Sequence, residues 1–385
     1  MHSAMLLLAC LLAGTASATF AQAPTAETRY FPPPGPSKTW ERRSPQQVGL
    51  NADRLEAAVK LARKNEMPWR RELGEQIFHD SISEPAAAVP LGPTIDRGGP
   101  SGVVLRHGYV LAEWGDADRV EMAFSITKSY LSTVAGLAVE QGRILDLRDR
   151  VVTYVTENFD SRRNSRVTWQ QLLQQTSEWQ GDLWSKPDAA DRRAGRDRSL
   201  QEPGTFWEYN DVRVNALAFA LTKVWQRPLP EVLKQYVMDP IGASGTWQWH
   251  GYRNSIVNIE GRAVASVSGG GHWGGGLWAS VWDHARYGYL FLRRGEWAGK
   301  QVVSETWIKQ ALAPSALMPT YGYLWWLNTN QQLYPAASAA SFFAQGSGGN
   351  VIWIDPANDL VVVARWLRPE RFDEFFGAVT AAVER

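Results

Sequence analysis

Cysteine is nearly absent from this chain of 385 residues, because Cys10 is the only one. An intrachain disulfide and a cysteine-cluster metal site are therefore both excluded. Histidine is also scarce, and the six histidines show no zinc-binding spacing such as His-Glu-x-x-His, so we expect no metal. An excess of one charge is missing as well, since 40 basic and 39 acidic residues give a net charge of +1. Without a basic field to attract phosphates, the protein is not expected to bind nucleic acid.

Long hydrophobic runs are missing too. The apolar run at residues 4–14 is too short to span a bilayer, and small residues follow it. This pattern predicts a cleaved signal peptide over residues 1–21, with cleavage after Ala21 or, as an alternative, after Ala18. It also predicts a periplasmic or secreted protein without stable membrane insertion. The sequence ending at Cys10 resembles a lipoprotein box, but apolar residues continue beyond it, which argues against lipidation.

The chain is rich in core-forming residues. Hydrophobic residues make up 44% of the sequence, and there are 19 tryptophans. This content excludes disorder for most of the chain and predicts a large core. The tryptophans predict aromatic walls, for which core packing is the expected use and an apolar ligand site is the alternative.

Strand patterns occur toward both ends of the chain, and helical patterns lie between them. SGVVLRHGYVLAEWG predicts a hairpin that turns at His107-Gly108, and NVIWIDP and LVVVARWL predict two more strands. Helical spacing is found over residues 52–65 and 125–141 and in the last stretch of the chain. We predict an α/β (α+β) fold with one antiparallel sheet, built from both chain ends and flanked by helices. The predicted units are a signal peptide (1–21), an extended arm (22–46), an α/β sheet domain (47–130 and 265–385) and an inserted, mainly helical domain (131–264).

The main chemical signal is Ser125, which is the only serine followed by a lysine three residues later. On a helix these two positions are neighbours, so the Lys128 amine can reach the Ser125 hydroxyl. A serine hydroxyl becomes a strong nucleophile only when a base takes its proton. The positive end of the helix dipole and burial both favour an uncharged Lys128 amine, which could be that base. The Ser125 backbone N–H would also suit an oxyanion. The alternative is a capping serine and a solvated lysine.

A second element supports the catalytic interpretation. Residues 203–211, PGTFWEYND, form a predicted turn that carries Tyr209 and leads into a helix. This stretch resembles the tyrosine loop of the serine β-lactamase and penicillin-recognising superfamily, in its class C branch. The hairpin before Ser125, the helix GGLWASVWDHARYG and the hairpin GSGGNVIWIDPANDLVVV resemble family elements in the same order. The resemblance covers roughly residues 45–380.

The resemblance implies roles for the matched residues. Ser125 would be the acylated nucleophile, Lys128 its partner base and Tyr209 a proton relay. To act as a base, the Tyr209 phenol needs a lowered pKa, and Lys128 is expected to supply the field. The alternative for Tyr209 is a core aromatic residue with a satisfied hydroxyl.

Two departures from the family pattern bear on the substrate. The family's Tyr-x-Asn ends here in Asp211, which could hold Lys128 or a neighbouring arginine, or could cap the next helix. The family's Lys-Thr-Gly strand aligns with Ala344-Gln345-Gly346, so the carboxylate-binding lysine is missing. Gly346 remains, and the backbone N–H of Ser347 could complete an oxyanion hole with that of Ser125. In this respect the chain resembles the esterase and 6-aminohexanoate-oligomer hydrolase members more than true β-lactamases.

Competing motifs are weaker. The glycines at 269, 271 and 274 fit a dinucleotide fingerprint by letter count, but no βαβ pattern surrounds them. A tight loop beside the site is the better interpretation, and His272 and Trp273 within it could line a pocket, although a structural role is favoured. A Gly-x-Ser-x-Gly elbow is also missing. We expect no cofactor.

These observations predict an exported serine hydrolase that acts on a small-molecule ester or amide. One alternative is a class C-type β-lactamase or D-Ala-D-Ala carboxypeptidase that uses another cation, for which Arg365 and Arg368 are candidates. The other is a non-catalytic binding protein on the same fold. The oligomeric state stays open.

Overall fold

The computed structural model describes residues 29–35, 37–80, 90–270 and 276–384. The predicted signal peptide, the first part of the predicted arm, and His272 and Trp273 therefore lie outside the described residues. Within the described ranges, no helix combines the length and the apolar character needed to cross a bilayer.

The helices and strands begin and end as follows. The helices are α1 (Ala52–Lys64), α2 (Leu73–Asp80), α3 (Thr127–Glu140), α4 (Trp169–Leu173), α5 (Asp211–Trp225), α6 (Leu229–Leu233), α7 (Val281–Leu292), α8 (Glu305–Ala311) and α9 (Phe372–Ala382). The strands are β1 (Ser101–Arg106), β2 (Tyr109–Trp114), β3 (Glu121–Met122), β4 (Asp182–Leu183), β5 (Lys186–Pro187), β6 (Gln248–Ile259), β7 (Arg262–Val267), β8 (Gly276–Ala279), β9 (Glu296–Trp297), β10 (Lys300–Gln301), β11 (Trp326–Leu327), β12 (Phe342–Gly346), β13 (Asn350–Asp355) and β14 (Leu360–Arg365).

The main sheet joins the two ends of the chain. Its order is β11-β12-β13-β14-β1-β2, and all neighbouring strands are antiparallel. β1 pairs with β14 along its whole length, from Ser101 opposite Arg365 to Arg106 opposite Leu360. The hairpin between β1 and β2 turns at His107 and Gly108, which both have a positive φ, as type I′ turns require. The predicted antiparallel sheet from both chain ends is confirmed.

Helices cover both faces of this sheet. Val361 and Val363 of β14 belong to the core cluster that includes α3 and α7. Leu360, Val362 and Ala364 point to the other face and belong to the cluster of α1 and α9. Because both faces are buried, the strand is an uninterrupted apolar run in the sequence. The predicted helix over residues 52–65 is confirmed as α1.

A second sheet was not predicted. It has four strands in the order β3-β8-β6-β7. β6 and the first half of β7 fall within residues 131–264, so this part of the segment expected to be mainly helical forms strands instead. The reason is the alternating burial of β6, in which Val257 and Ile259 are buried whereas Ile256 and Asn258 are exposed. That period of two is the pattern of a strand with one covered face.

The long buried helix α3 positions the candidate site. Every residue from Thr127 to Ala138 is buried, and the helix packs against α5 and α6. A short 3₁₀ turn over Phe124–Ile126 precedes α3 and contacts β12. The end of the main sheet and the start of α3 therefore meet at Ser125.

Candidate active site

Ser125 lies in the tight turn before α3 and is half-buried. The preceding Phe124 has a φ of 49°, which is uncommon for a residue with a side chain. Such backbone strain is concentrated at functional sites, where surrounding packing maintains it. Among the described residues, the Ser125 backbone N–H has no hydrogen-bond acceptor. The turn therefore presents both a hydroxyl and an amide donor to the site.

The Lys128 amino group is surrounded by three oxygen atoms. Its Nζ lies 2.8 Å from Ser125 Oγ, 2.6 Å from the Gly270 carbonyl oxygen and 2.6 Å from Asp211 Oδ1. Only 2% of the Lys128 side chain is exposed. The expected meeting of the serine hydroxyl with the lysine amine is therefore present. A surface-exposed, solvated Lys128 is excluded.

Asp211 changes the charge balance of the site. It is the first residue of α5, whose N-cap is Asn210, so the capping role considered for Asp211 is wrong. Its carboxylate forms an ion pair with Lys128 instead. The uncharged Lys128 amine expected from the sequence stays a prediction. The Asp211 carboxylate lies close enough to exchange a proton with Lys128.

The Tyr209 side chain also meets this group. Its hydroxyl forms a hydrogen bond with the Ser125 side chain, and its ring centroid lies 4.6 Å from Lys128 Nζ. Burial, followed by the nearby charge of Asp211, raises the pKa of Tyr209 far above its usual range, although the hydrogen bond to Ser125 and Arg193 act in the opposite direction. The expected lowering of the Tyr209 pKa by Lys128 is therefore wrong. In the resting site Tyr209 is a neutral phenol that can donate a proton.

Gly346 brings the edge of the main sheet against Ser125. An added Cβ there would lie 2.3 Å from the Ala123 carbonyl oxygen and 3.3 Å from the Ser125 nitrogen. Only glycine permits this approach without displacement. Ser347 follows at the end of β12 and is exposed, and its N–H has no acceptor among the described residues. Gly346 is thus a neighbour of the candidate nucleophile, and Ser347 is the next residue along the chain.

Two residues near Lys128 were not singled out from the sequence. The carbonyl of Gly270 accepts from Lys128, and an added Cβ at Gly270 would lie 2.7 Å from the Asp211 carbonyl oxygen. Asn215, one turn into α5, accepts from the backbone N–H groups of Gly269 and Gly270 through its Oδ1. The glycine-rich run signalled a tight loop, and Gly269 and Gly270 do lie beside the site.

A buried ionic cluster supports the tyrosine loop. We use this name for three carboxylates and three guanidinium groups: Glu178, Asp188, Glu208, Arg192, Arg198 and Arg213. Glu178 Oε1 lies 2.6 Å from Arg198 and 2.7 Å from Arg213. Burial disfavours the charged carboxylate, but the two arginines outweigh it and lower the pKa of Glu178 to about 2. Because Glu208 directly precedes Tyr209, the cluster fixes the phenol relative to α5.

An aromatic wall flanks Tyr209. The Trp326 ring stacks on the Tyr209 ring with centroids 5.8 Å apart, and Tyr321 meets both rings edge-on. Trp207 contacts Trp326 and Tyr321. Trp207 and Trp326 are half-buried, whereas Tyr209 and Tyr321 are buried. The site therefore has a polar centre at Ser125 and an apolar side at the tyrosine.

The arginines proposed for a β-lactamase-type site are already engaged. Arg365 is 1% exposed, and its guanidinium contacts Glu121, the Ala279 carbonyl and His284. Arg365 is therefore not available as the carboxylate-binding cation of the β-lactamase alternative. Arg368 is exposed and donates to the Glu66 carbonyl. In the described part of the chain, no cluster of three or more His, Cys, Asp or Glu residues could hold a metal ion.

Together the mixed α/β layers, the antiparallel sheet and the position of the site define the fold of β-lactamases and penicillin-binding proteins. A family model described as "Beta-lactamase" matches residues 96–375, more than half of the chain. The chain belongs to the beta-lactamase family. Family membership and the names of its relatives indicate a hydrolase.

Three relatives illustrate the similarity. The 6-aminohexanoate-dimer hydrolase of Paenarthrobacter ureafaciens is 26% identical over 307 residues, covering 70% of this chain and 73% of that protein. The octameric penicillin-binding protein homologue from Pyrococcus abyssi has a TM-score of 0.54 at 20% identity, covering 74% of this chain and 72% of its own. EstCE1, a hydrolase with promiscuous acyltransferase activity, has a TM-score of 0.54 at 16% identity, covering 86% of this chain and 100% of its own. The two structural similarities establish the fold alone.

Proposed function

We propose that the protein is an exported serine hydrolase that cleaves small esters or amides through an acyl-enzyme on Ser125. The observation that carries the proposal is the contact of Ser125 Oγ with both the Lys128 amine, at 2.8 Å, and the Tyr209 phenol. A hydroxyl placed between a proton acceptor and a proton donor is the arrangement that nucleophilic catalysis needs. Export is inferred from the amino-terminal sequence pattern alone.

Acylation begins when Ser125 Oγ bonds to the substrate's carbonyl carbon. The hydroxyl proton passes to Lys128 while Lys128 gives one of its own protons to Asp211, so charge does not accumulate on the nitrogen. The carbonyl oxygen becomes an oxyanion, which the N–H groups of Ser125 and Ser347 stabilise. Asp211 is thus the final proton acceptor, and its 2.6 Å contact with Lys128 provides the path.

The tetrahedral intermediate then collapses with Tyr209 as the proton donor. The raised pKa keeps its phenol protonated at neutral pH. As the bond to the leaving group breaks, the leaving group takes the phenolic proton, and the Lys128–Asp211 pair returns the serine proton to the phenol. Water then attacks the acyl-enzyme, and the same groups transfer protons in the reverse direction.

The substrate class is inferred from the β12 edge. The Lys-Thr-Gly lysine that would bind a β-lactam carboxylate is replaced by Ala344, which is 1% exposed. A small ester or amide places no demand on that position. One relative is named for hydrolysis of a 6-aminohexanoate dimer, which is consistent with an amide substrate.

A substrate panel tests the proposal. Wild type should hydrolyse 4-nitrophenyl butyrate far faster than nitrocefin, and Ser125→Ala should lower kcat on the ester by on the order of a thousandfold or more. A thermal melt confirms that the variant is folded. Undiminished activity in Ser125→Ala would refute the mechanism, and faster nitrocefin turnover would favour the β-lactamase alternative. A folded wild type with no turnover of any substrate would favour a binding protein.

A further inference from the structure

The loop between β5 and the tyrosine turn is rich in arginine. Residues 191–200 contain Arg192, Arg193, Arg196 and Arg198 within seven positions. Arg192 and Arg198 turn inward and belong to the buried ionic cluster, where carboxylates neutralise them. Arg193 lies between them in sequence but remains exposed. Neighbouring residues of the same type therefore have different environments, and only Arg193 faces the tyrosine ring.

Arg193 is fixed against the candidate catalytic phenol. Its guanidinium carbon lies 4.9 Å from the centroid of the Tyr209 ring, and its Nε donates to the Tyr209 carbonyl oxygen at 3.1 Å. Across the described ranges, its two terminal nitrogens have no hydrogen-bond or ion-pair partner. A guanidinium with one edge anchored and the other edge available is preorganised for a planar, two-oxygen ligand.

The charge balance around the site leaves Arg193 in excess. Lys128 is paired with Asp211, and Lys186 is paired with Asp191 at 2.7 Å. No carboxylate of the described residues forms an ion pair with Arg193. An unneutralised cation beside a reaction centre raises the local concentration of anionic substrates.

On the β12 side of the site, the candidate cations among the described residues are either missing or already engaged. Ala344 replaces the family lysine, and the Gln345 side chain accepts from the Tyr334 hydroxyl. The Arg365 guanidinium is buried against Glu121, and Arg368 is bonded to a backbone carbonyl. A charged substrate group therefore finds its partner on the tyrosine side of Ser125, where the aromatic wall can cover an apolar linker.

We propose that Arg193 binds a carboxylate of the substrate and that the natural substrates are esters or amides carrying a second, anionic group. This inference rests on the proposed hydrolase function. Arg193 is a specificity residue: it contacts the anionic end of the substrate, while Ser125 attacks the carbonyl. The recognition is by a guanidinium–carboxylate pair, which is worth more than a point charge because two hydrogen bonds form together.

Two matched substrate pairs test the proposal. In the first pair the acyl chain ends in a carboxylate or a methyl group: 4-nitrophenyl hydrogen glutarate against 4-nitrophenyl valerate. In the second the leaving group carries the charge: 4-carboxyphenyl butyrate against 4-acetylphenyl butyrate. Wild type should prefer the anionic member of at least one pair in kcat/KM.

Substitution of Arg193 should remove that preference. In Arg193→Gln the ratio of kcat/KM, anionic over neutral, should fall on the order of 10- to 100-fold, with the loss mainly in KM. This range corresponds to one charge-assisted hydrogen-bonded contact. In Arg193→Lys the ratio should lie between those of wild type and Arg193→Gln, because lysine keeps the charge and loses the bidentate geometry. The matched control is Arg196→Gln, an exposed arginine of the same loop, which should keep the wild-type ratio.

The ratio of kcat/KM, anionic over neutral, distinguishes a role of Arg193 in substrate specificity from a structural role. A disturbance of Tyr209 would slow both members of a pair alike, so an unchanged ratio in Arg193→Gln would overturn the proposal. So would a wild type that hydrolyses the neutral esters and prefers neither anionic partner, and in that case the hydrolase function would still stand. If the folded wild type hydrolyses none of the four esters, the proposed function itself fails.

Discussion

The two halves of the candidate site are held in place by different forces. The nucleophile half, with Ser125 and Lys128, lies at the start of α3, a helix buried among apolar side chains. The tyrosine half, with Tyr209 and Asp211, lies where a loop fixed by the buried ionic cluster enters α5. Apolar packing does not depend on pH, and the stability that a substitution costs there rises with the number of buried atoms removed. In a buried ion pair, removing one partner is strongly destabilising, because the other partner stays charged and buried.

The two halves therefore differ in what a substitution should change first, the reaction rate or the stability of the fold. Changes at Lys128 should affect the rate far more than the fold, because the lysine acts on the serine proton. Changes in the ionic cluster should affect the fold first, and the rate only through the position of Tyr209.

Lys128→Met should give the largest change in rate. The methionine fills much of the same volume but cannot accept a proton, so kcat on 4-nitrophenyl butyrate should fall on the order of a thousandfold, within the range for general-base removal. The control is Lys223→Met, at the opposite end of α5 from Asp211. The Lys223 ammonium lies 2.8 Å from the Glu157 carboxylate. Comparable activity in wild type and a folded Lys128→Met would contradict the base role.

Glu178→Gln should give the largest change in stability. The substitution leaves Arg198 and Arg213 without their shared carboxylate, and breaking a buried pair in this way costs about 3 kcal/mol or more of unfolding free energy. The matched control is Asp146→Asn. Hydrogen bonds from Arg148 lower the pKa of Asp146 to about 2 as well, but this pair is exposed, so its removal should leave the melting temperature nearly unchanged. If urea unfolding gave the same loss of unfolding free energy for both variants, the buried ionic cluster would not stabilise the fold.

The stability difference between wild type and Glu178→Gln should also depend on pH. This change with pH is a smaller effect than the loss of stability itself, and its sign is defined. Because the pKa of Glu178 is lowered in the fold from 4.5 to about 2, its stabilising contribution is complete above about pH 4.5. The contribution is lost as the pH falls through about 2. The stability difference between wild type and Glu178→Gln should therefore narrow across this acidic range. A difference that stays constant to pH 2 would mean that Glu178 does not gain from its arginines.

The same division explains what the sequence could predict. Ser125 and Lys128 are three residues apart, so local geometry alone placed them together. The main sheet was predictable because buried strands such as β14 are continuous apolar runs. β6 was missed because its alternation is interrupted by polar residues and Gly251.

The tyrosine half was only partly predictable. Tyr209 was found through its turn and the family resemblance. The Asp211–Lys128 pair, the Gly270 carbonyl and the ionic cluster join residues far apart in the chain, and no local spacing signals such contacts. The direction of the Tyr209 pKa was wrongly predicted for the same reason. It depends on how deeply the ring is buried and on the carboxylate beside it, which only the folded structure defines.

The most direct test of the central claim is covalent labelling of Ser125. A fluorophosphonate should react with folded wild type and add its mass to the peptide containing Ser125, while Lys128→Met should react far more slowly. A folded wild-type protein that takes no label, or takes it at another residue, would contradict the account.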